Sequence, residues 1–153
     1  MFQKILVPLD GSSYSLKALD EASQIAKMSS GKSTLTNVYS AKSIMTSKSE
    51  LSTRGDIGPL DSTEAGVSRM IERAARNRIL QDGEQRIRAT GVQVERKLVE
   101  GHTVQEIVRL ANGGNFDLIV MGARGVSHIS KTFLGSVTEG VLHHANCPVL
   151  VIK

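Results

Sequence analysis

The residues best suited to chemistry in this sequence are small ones. Met121-Gly122-Ala123-Arg124-Gly125 is followed by nine residues and then by Gly135-Ser136-Val137-Thr138. A phosphate chain needs backbone to approach closely and amides to point inward, which favours residues without a Cβ and the free N–H groups at a helix start. Gly122, Gly125, Gly135 and Ser136 meet that need. Ser136 and Thr138 add hydroxyl donors, Arg124 could add positive charge, and a helix dipole beginning at Ser136 favours anions by about 0.3–1 kcal/mol. Taken singly, the same glycines also suit a plain turn and Ser136 a plain helix cap.

Other local patterns fail their own chemistry. Gly31-Lys32-Ser33 resembles the end of a phosphate-binding P-loop, but Ala26 stands where the first glycine is needed and a strand follows instead of a helix. Gly125-Val126-Ser127-His128-Ile129 lacks the last glycine of a hydrolase elbow. His143 and His144 are consecutive, hence about 100° apart on a helix, and cannot share a metal from it. Cys147, the one cysteine, permits no internal disulfide and reads as a small buried hydrophobe.

The elements that must position the glycines follow from periodicity. Apolar runs of strand length occur at 4–10, 33–40, 92–99, 116–122 and 147–153. Ile5–Leu9, Leu118–Met121 and Val149–Ile152 do not alternate with polar residues, which predicts central or well-covered strands. Val92-Gln93-Val94-Glu95 alternates and predicts an edge. Apolar residues at helical spacing lie between the runs: Leu16, Leu19, Ala22, Ala26; Val67, Met70, Ile71, Ala74, Ala75; Val104, Ile107, Val108, Ala111; and Val137, Val141, Ala145. Thr103 with Glu106 and Ser136 with Glu139 match the capping-box spacing and mark two helix starts. Gly140 costs about 1 kcal/mol relative to Ala inside the last helix and is expected to loosen the phosphate end. Strands alternating with helices imply a doubly wound α/β fold with a mostly parallel sheet covered on both faces. In such a sheet ligands sit beyond the carboxyl ends of the strands, where connections switch faces, so the tips after strands one and four are neighbours. Residues 41–61 have no sustained period and read as a long mobile connection within a single domain, 1–153.

The glycine spacing, together with the opening KILVPLDGS, the strand-four DLIVMGARG and the closing LGSVTEGVLHHANCPVLVIK, resembles the ATP-binding branch of the universal stress protein family. The resemblance spans the chain except for 41–61. It implies one five-stranded parallel sheet of order 3-2-1-4-5, adenine nucleotide alpha hydrolase-like. It implies ATP as ligand, alone or with Mg²⁺. Pro8, Leu9 and Asp10 would line the adenosine end and Val38 would meet the adenine. Gly122, Arg124, Gly125, Gly135, Ser136, Val137 and Thr138 would hold ribose and phosphates, and Met121 belongs to the same cofactor-binding set. Asp10 could accept from a ribose hydroxyl or the adenine amine, bind Mg²⁺ indirectly, or merely end a strand and cap the next helix. Asn37 departs from the histidine many relatives carry there. The resemblance also implies a homodimer joined through Val149–Ile152.

Composition sets the outer bounds. With 40% hydrophobic and 22% charged residues and a mean hydropathy of −0.10, the chain can close a core. No run reaches the length of a membrane span and MFQKILVPLD lacks the pattern of a signal peptide, so a cytoplasmic, membrane-free protein is expected. The net charge of +4 allows an anionic partner, but basic and acidic residues interleave and aromatics are few, so nucleic acid is not expected. The leading expectation is a nucleotide-dependent regulator of the stress response, in which occupancy orders 122–135 and 41–61 and changes the surface offered to partners. The alternatives are an enzyme that slowly hydrolyses ATP or phosphorylates itself at Ser127, Ser130 or Thr132, and a nucleotide-free dimeric interaction module.

Overall fold

A computed structural model describes residues 1–40, 62–127 and 133–153, so the expectations for 41–61, Ser130 and Thr132 lie outside the described residues. In chain order the elements are β1 (Lys4–Pro8), α1 (Ser13–Ser29), β2 (Lys32–Tyr39), α2 (Ser62–Arg88), β3 (Gln93–Glu100), α3 (Thr103–Gly113), β4 (Leu118–Gly122), α4 (Ser136–His144) and β5 (Val149–Ile152). The strands form one parallel sheet of order β3-β2-β1-β4-β5, as expected.

Successive residues of a strand point to opposite faces, and here both faces are apolar. Ile5, Val7 and Leu9 with Leu35, Leu118 and Val120 pack under α1 and α2, where Leu19, Leu80 and Ile87 meet them. Leu6, Ile119 and Met121 face the other way, onto Ile107 and Ala111 of α3 and Val141 of α4. That two-sided burial is why the runs in β1 and β4 are unbroken. Gly83 seats α2 close to the sheet: a methyl there would stand 2.5 Å from Leu9 Cδ2.

Four expectations are corrected. β5 is an edge strand, not a covered one; Leu150 is 37% exposed and its neighbours are half-buried. Its apolar run reflects what the strand could bury, and no described strand lies beyond it. In α2 the expected core stripe faces outward, with Val67, Met70 and Ile71 51%, 73% and 66% exposed. A helix of 27 residues extends about 40 Å, longer than the strands beneath it. Only its last turns, through Leu80, Gly83 and Ile87, reach the sheet.

The capping boxes do not form. His102 and Gly135 are the N-caps of α3 and α4, neither with a side-chain cap bond, so Thr103 and Ser136 are one residue too far into their helices. Glu106 pairs with Arg109 at 2.6 Å instead. Gly140, finally, tightens rather than loosens: a methyl there would meet Val104 Cγ2 at 2.8 Å, so the bare Cα lets α4 close on α3. No helix among the described residues is long and apolar enough to cross a membrane.

Candidate functional site

A cavity of ≈ 320 Å³ opens at the carboxyl tips of β1, β2 and β4, within the size range of small-molecule sites. Every residue expected at the site lines it: Pro8, Leu9 and Asp10 after β1, Val38 on β2, Met121, Gly122, Arg124 and Gly125 after β4, and Gly135, Ser136, Val137 and Thr138 at the start of α4. Residues far apart in sequence meet because β1 and β4 are adjacent in the sheet.

The first tip is built by local backbone needs. Gly11 takes φ +85°, a left-handed conformation that a side chain would strain. Asp10 Oδ1 accepts from the Ser12 amide at 2.9 Å, and Ser12 Oγ in turn accepts from the Ser15 amide at 3.2 Å. The cap of α1 is thus Ser12, and Asp10 orders the turn before it. Asn37 braces the same tip, donating from Nδ2 to the Leu9 carbonyl at 2.8 Å.

The second tip is pinched at its base. The Gly135 amide donates to the Ala123 carbonyl at 2.8 Å, and Arg124 Nε donates to the Phe133 carbonyl at 3.0 Å. Arg124 also donates from Nη1 to the Tyr14 hydroxyl at 2.9 Å, its guanidinium 5.5 Å from the Tyr14 ring centre. Arg124 therefore ties both ends of the loop to α1 while bringing positive charge to the cavity rim. Thr138 is similarly engaged: its hydroxyl donates to the Gly122 carbonyl at 2.8 Å, so it joins α4 to β4 and retains only acceptor capacity. Gly122 serves packing as well as the cavity, since a methyl there would lie 2.7 Å from Tyr14 Cβ and 2.8 Å from the Tyr14 carbonyl carbon.

Ser136 differs from these. It is exposed, lines the cavity and opens the first turn of α4, whose N-cap is Gly135, so no side chain caps the amides at this helix start. The wall toward β2 is apolar at Pro8, Val38, Ile107 and Met121, with Thr36 and Asn37 of β2 also lining it. Asp10 is the one carboxylate among the described lining residues, and the described residues contain no cluster of three metal-ligating side chains. A divalent ion here would have to arrive with a ligand that supplies most of its oxygens.

Tyr14, Ser15, Thr36, Thr103 and Ile107 were not expected at the site. Tyr14 had a signal, being one of only two tyrosines and set just past a helix cap. Thr36 had one too, as a hydroxyl inside a buried strand. Thr103 and Ile107 reach the cavity only because α3 packs beside α4. Ser127 lines the cavity. Cys147 is half-buried, and burial pushes its thiol up from the ordinary range.

The universal stress protein family model matches residues 1–153. The universal stress protein YxiE of Bacillus subtilis is 31% identical over 153 residues, covering all of both chains. The solved structure of MJ0577 from Methanocaldococcus jannaschii superimposes with a TM-score of 0.79 at 27% identity, covering 100% of this chain and 96% of that one. A universal stress protein crystallised in complex with cAMP gives a TM-score of 0.71 at 28% identity, covering 99% and 97%. With a match running from the first strand through the last and a sheet that superimposes on solved members, this chain belongs to the universal stress protein family.

Proposed function

We propose that the chain binds ATP in this cavity and works as a nucleotide-dependent regulator. The observation that carries the reading is the start of α4. Ser136 and Val137 open the helix at the cavity with no side chain capping its first amides, the arrangement that suits a phosphate chain, while the Gly135 amide is held by the Ala123 carbonyl. The apolar wall of Pro8, Val38, Ile107 and Met121 suits a flat base at the other end. Asp10 also lines the cavity, its Oδ1 held by Ser12, where it could accept from a ribose hydroxyl. A universal stress protein of similar fold was crystallised with cAMP, which favours an adenine nucleotide for this chain as well.

In this reading Gly122, Gly125, Gly135, Ser136 and Val137 surround the phosphates, while Arg124 and Thr138 hold the loop and helix that present them. Mg²⁺ would enter with the phosphates, reaching Asp10 through water. The chain works as a cytoplasmic homodimer whose subunits meet along β5, where an apolar strand lies open at the sheet edge.

Calorimetry with ATP, ADP, AMP, cAMP and GTP tests the ligand. Saturable ATP binding stronger than GTP binding is expected; no heat with any of them would remove the reading. Mass spectrometry of small molecules released from freshly purified protein gives an independent answer, an adenine nucleotide being expected.

A further inference from the structure

We infer that the Thr36 hydroxyl is the side-chain contact for the polar edge of the base in this cavity, an inference that rests on the nucleotide reading above. Thr36 lines the cavity and is 1% exposed, and its Oγ1 has no hydrogen-bond partner. Its carbonyl is occupied, accepting from the Leu9 amide at 2.8 Å, but its hydroxyl is not.

Two other buried side-chain oxygens among the described residues are unpartnered, Ser33 Oγ and Asn37 Oδ1. The two-residue period of β2 separates them from Thr36. Leu35 packs under α1 and α2, and Ser33, on the same face of β2, does not line the cavity, whereas Asn37 does. The amide of Asn37 is already fixed on Leu9. Thr36 shares its face with Val38, beside Ile107 and Met121 and in register with Pro8. The wall on which a base would lie is therefore apolar around two screened oxygens, of which Asn37 Oδ1 only accepts while Thr36 Oγ1 can also donate.

A buried polar group without a partner weakens the fold, and valine would fill the same volume without that defect. The defect is removed when a ligand supplies the missing bond. A hydroxyl rotates and both donates and accepts, so it serves either a ring nitrogen or an exocyclic amine on the base edge, with little water to compete.

Thr36→Val and Thr36→Ser variants separate this role from a structural one, through thermal unfolding without nucleotide and calorimetry with ATP. Thr36→Val is expected to unfold at the same or a higher temperature than the parent chain while binding ATP about tenfold more weakly. Thr36→Ser should bind within about threefold of the parent. The inference is overturned if Thr36→Val binds ATP within about twofold of the parent, or if it unfolds at a lower temperature, which would mean the fold itself satisfies the hydroxyl. A parent chain that takes up no nucleotide would instead overturn the reading of the previous subsection and this inference with it.

Discussion

Asp10 and Gly125, more than a hundred residues apart in the chain, lie against each other: a methyl at position 125 would stand 2.8 Å from Asp10 Oδ2. The other oxygen, Oδ1, is held by the Ser12 amide at 2.9 Å, so the carboxylate is fixed on one side and hemmed in on the other. Gly125→Ala should therefore displace either the carboxylate or the loop and weaken ATP binding about tenfold or more, read by calorimetry. Asp10→Ala removes the clash, so the double variant should lose less than the two single losses combined. Fully additive losses would show that the two residues act independently.

Gly122 and Tyr14 make the other close approach. Because part of what a methyl at 122 would strike is the backbone of Tyr14 and Ser15, at 2.8 and 3.0 Å, side-chain rotation cannot relieve it. Gly122→Ala should cost about 1–3 kcal/mol, lowering Tm by several degrees in a scan without ligand. An unchanged Tm would mean that α1 can slide along β4.

Ser136 and Thr138 should separate cleanly. Thr138→Val breaks a buried bond to the Gly122 carbonyl and should cost about 1–2 kcal/mol in denaturant titrations. Ser136→Ala removes no cap, so stability should stay within about 0.5 kcal/mol while ATP affinity falls. A large stability loss from Ser136→Ala would return that residue to a capping role.

The open edge at β5 is where the proposed dimer would form. Leu150, 37% exposed there, should tolerate arginine in a monomer but not in an apolar interface. Sedimentation of Leu150→Arg should show a shift from dimer to monomer with little change in monomer stability. A parent chain that sediments as a monomer at tens of micromolar would end the proposal directly.

Cys147 should be sluggish toward alkylation. Burial raises its pKa, and a raised pKa means less thiolate at any given pH, so iodoacetamide at pH 8 should react more slowly than with a free thiol. Equal or faster reaction would show that the strand end opens in solution.

Much of the molecule was legible from sequence because two-sided burial and helical periodicity leave direct marks. Ile5–Leu9 and Leu118–Met121 read as covered strands and are, since successive residues, and not only every second one, must be apolar when both faces pack. Val149–Ile152 shows where that logic stops: an apolar strand is consistent with burial but does not say by what. The α2 stripe stops in the same way, because periodicity identifies a face and not the surface opposite it.

The amino-acid order alone determined the α/β class, the glycines at the two strand tips and the family resemblance, all of them properties of neighbouring residues. Only the tertiary structure decided which polar groups are already engaged. It tied the Thr138 hydroxyl to Gly122 and Arg124 to Tyr14 and Phe133, and it left Ser136 and Thr36 without such ties. Hydrogen bonds between residues distant in the chain depend on distances that folding alone creates, so no local pattern could have sorted the engaged groups from the open ones.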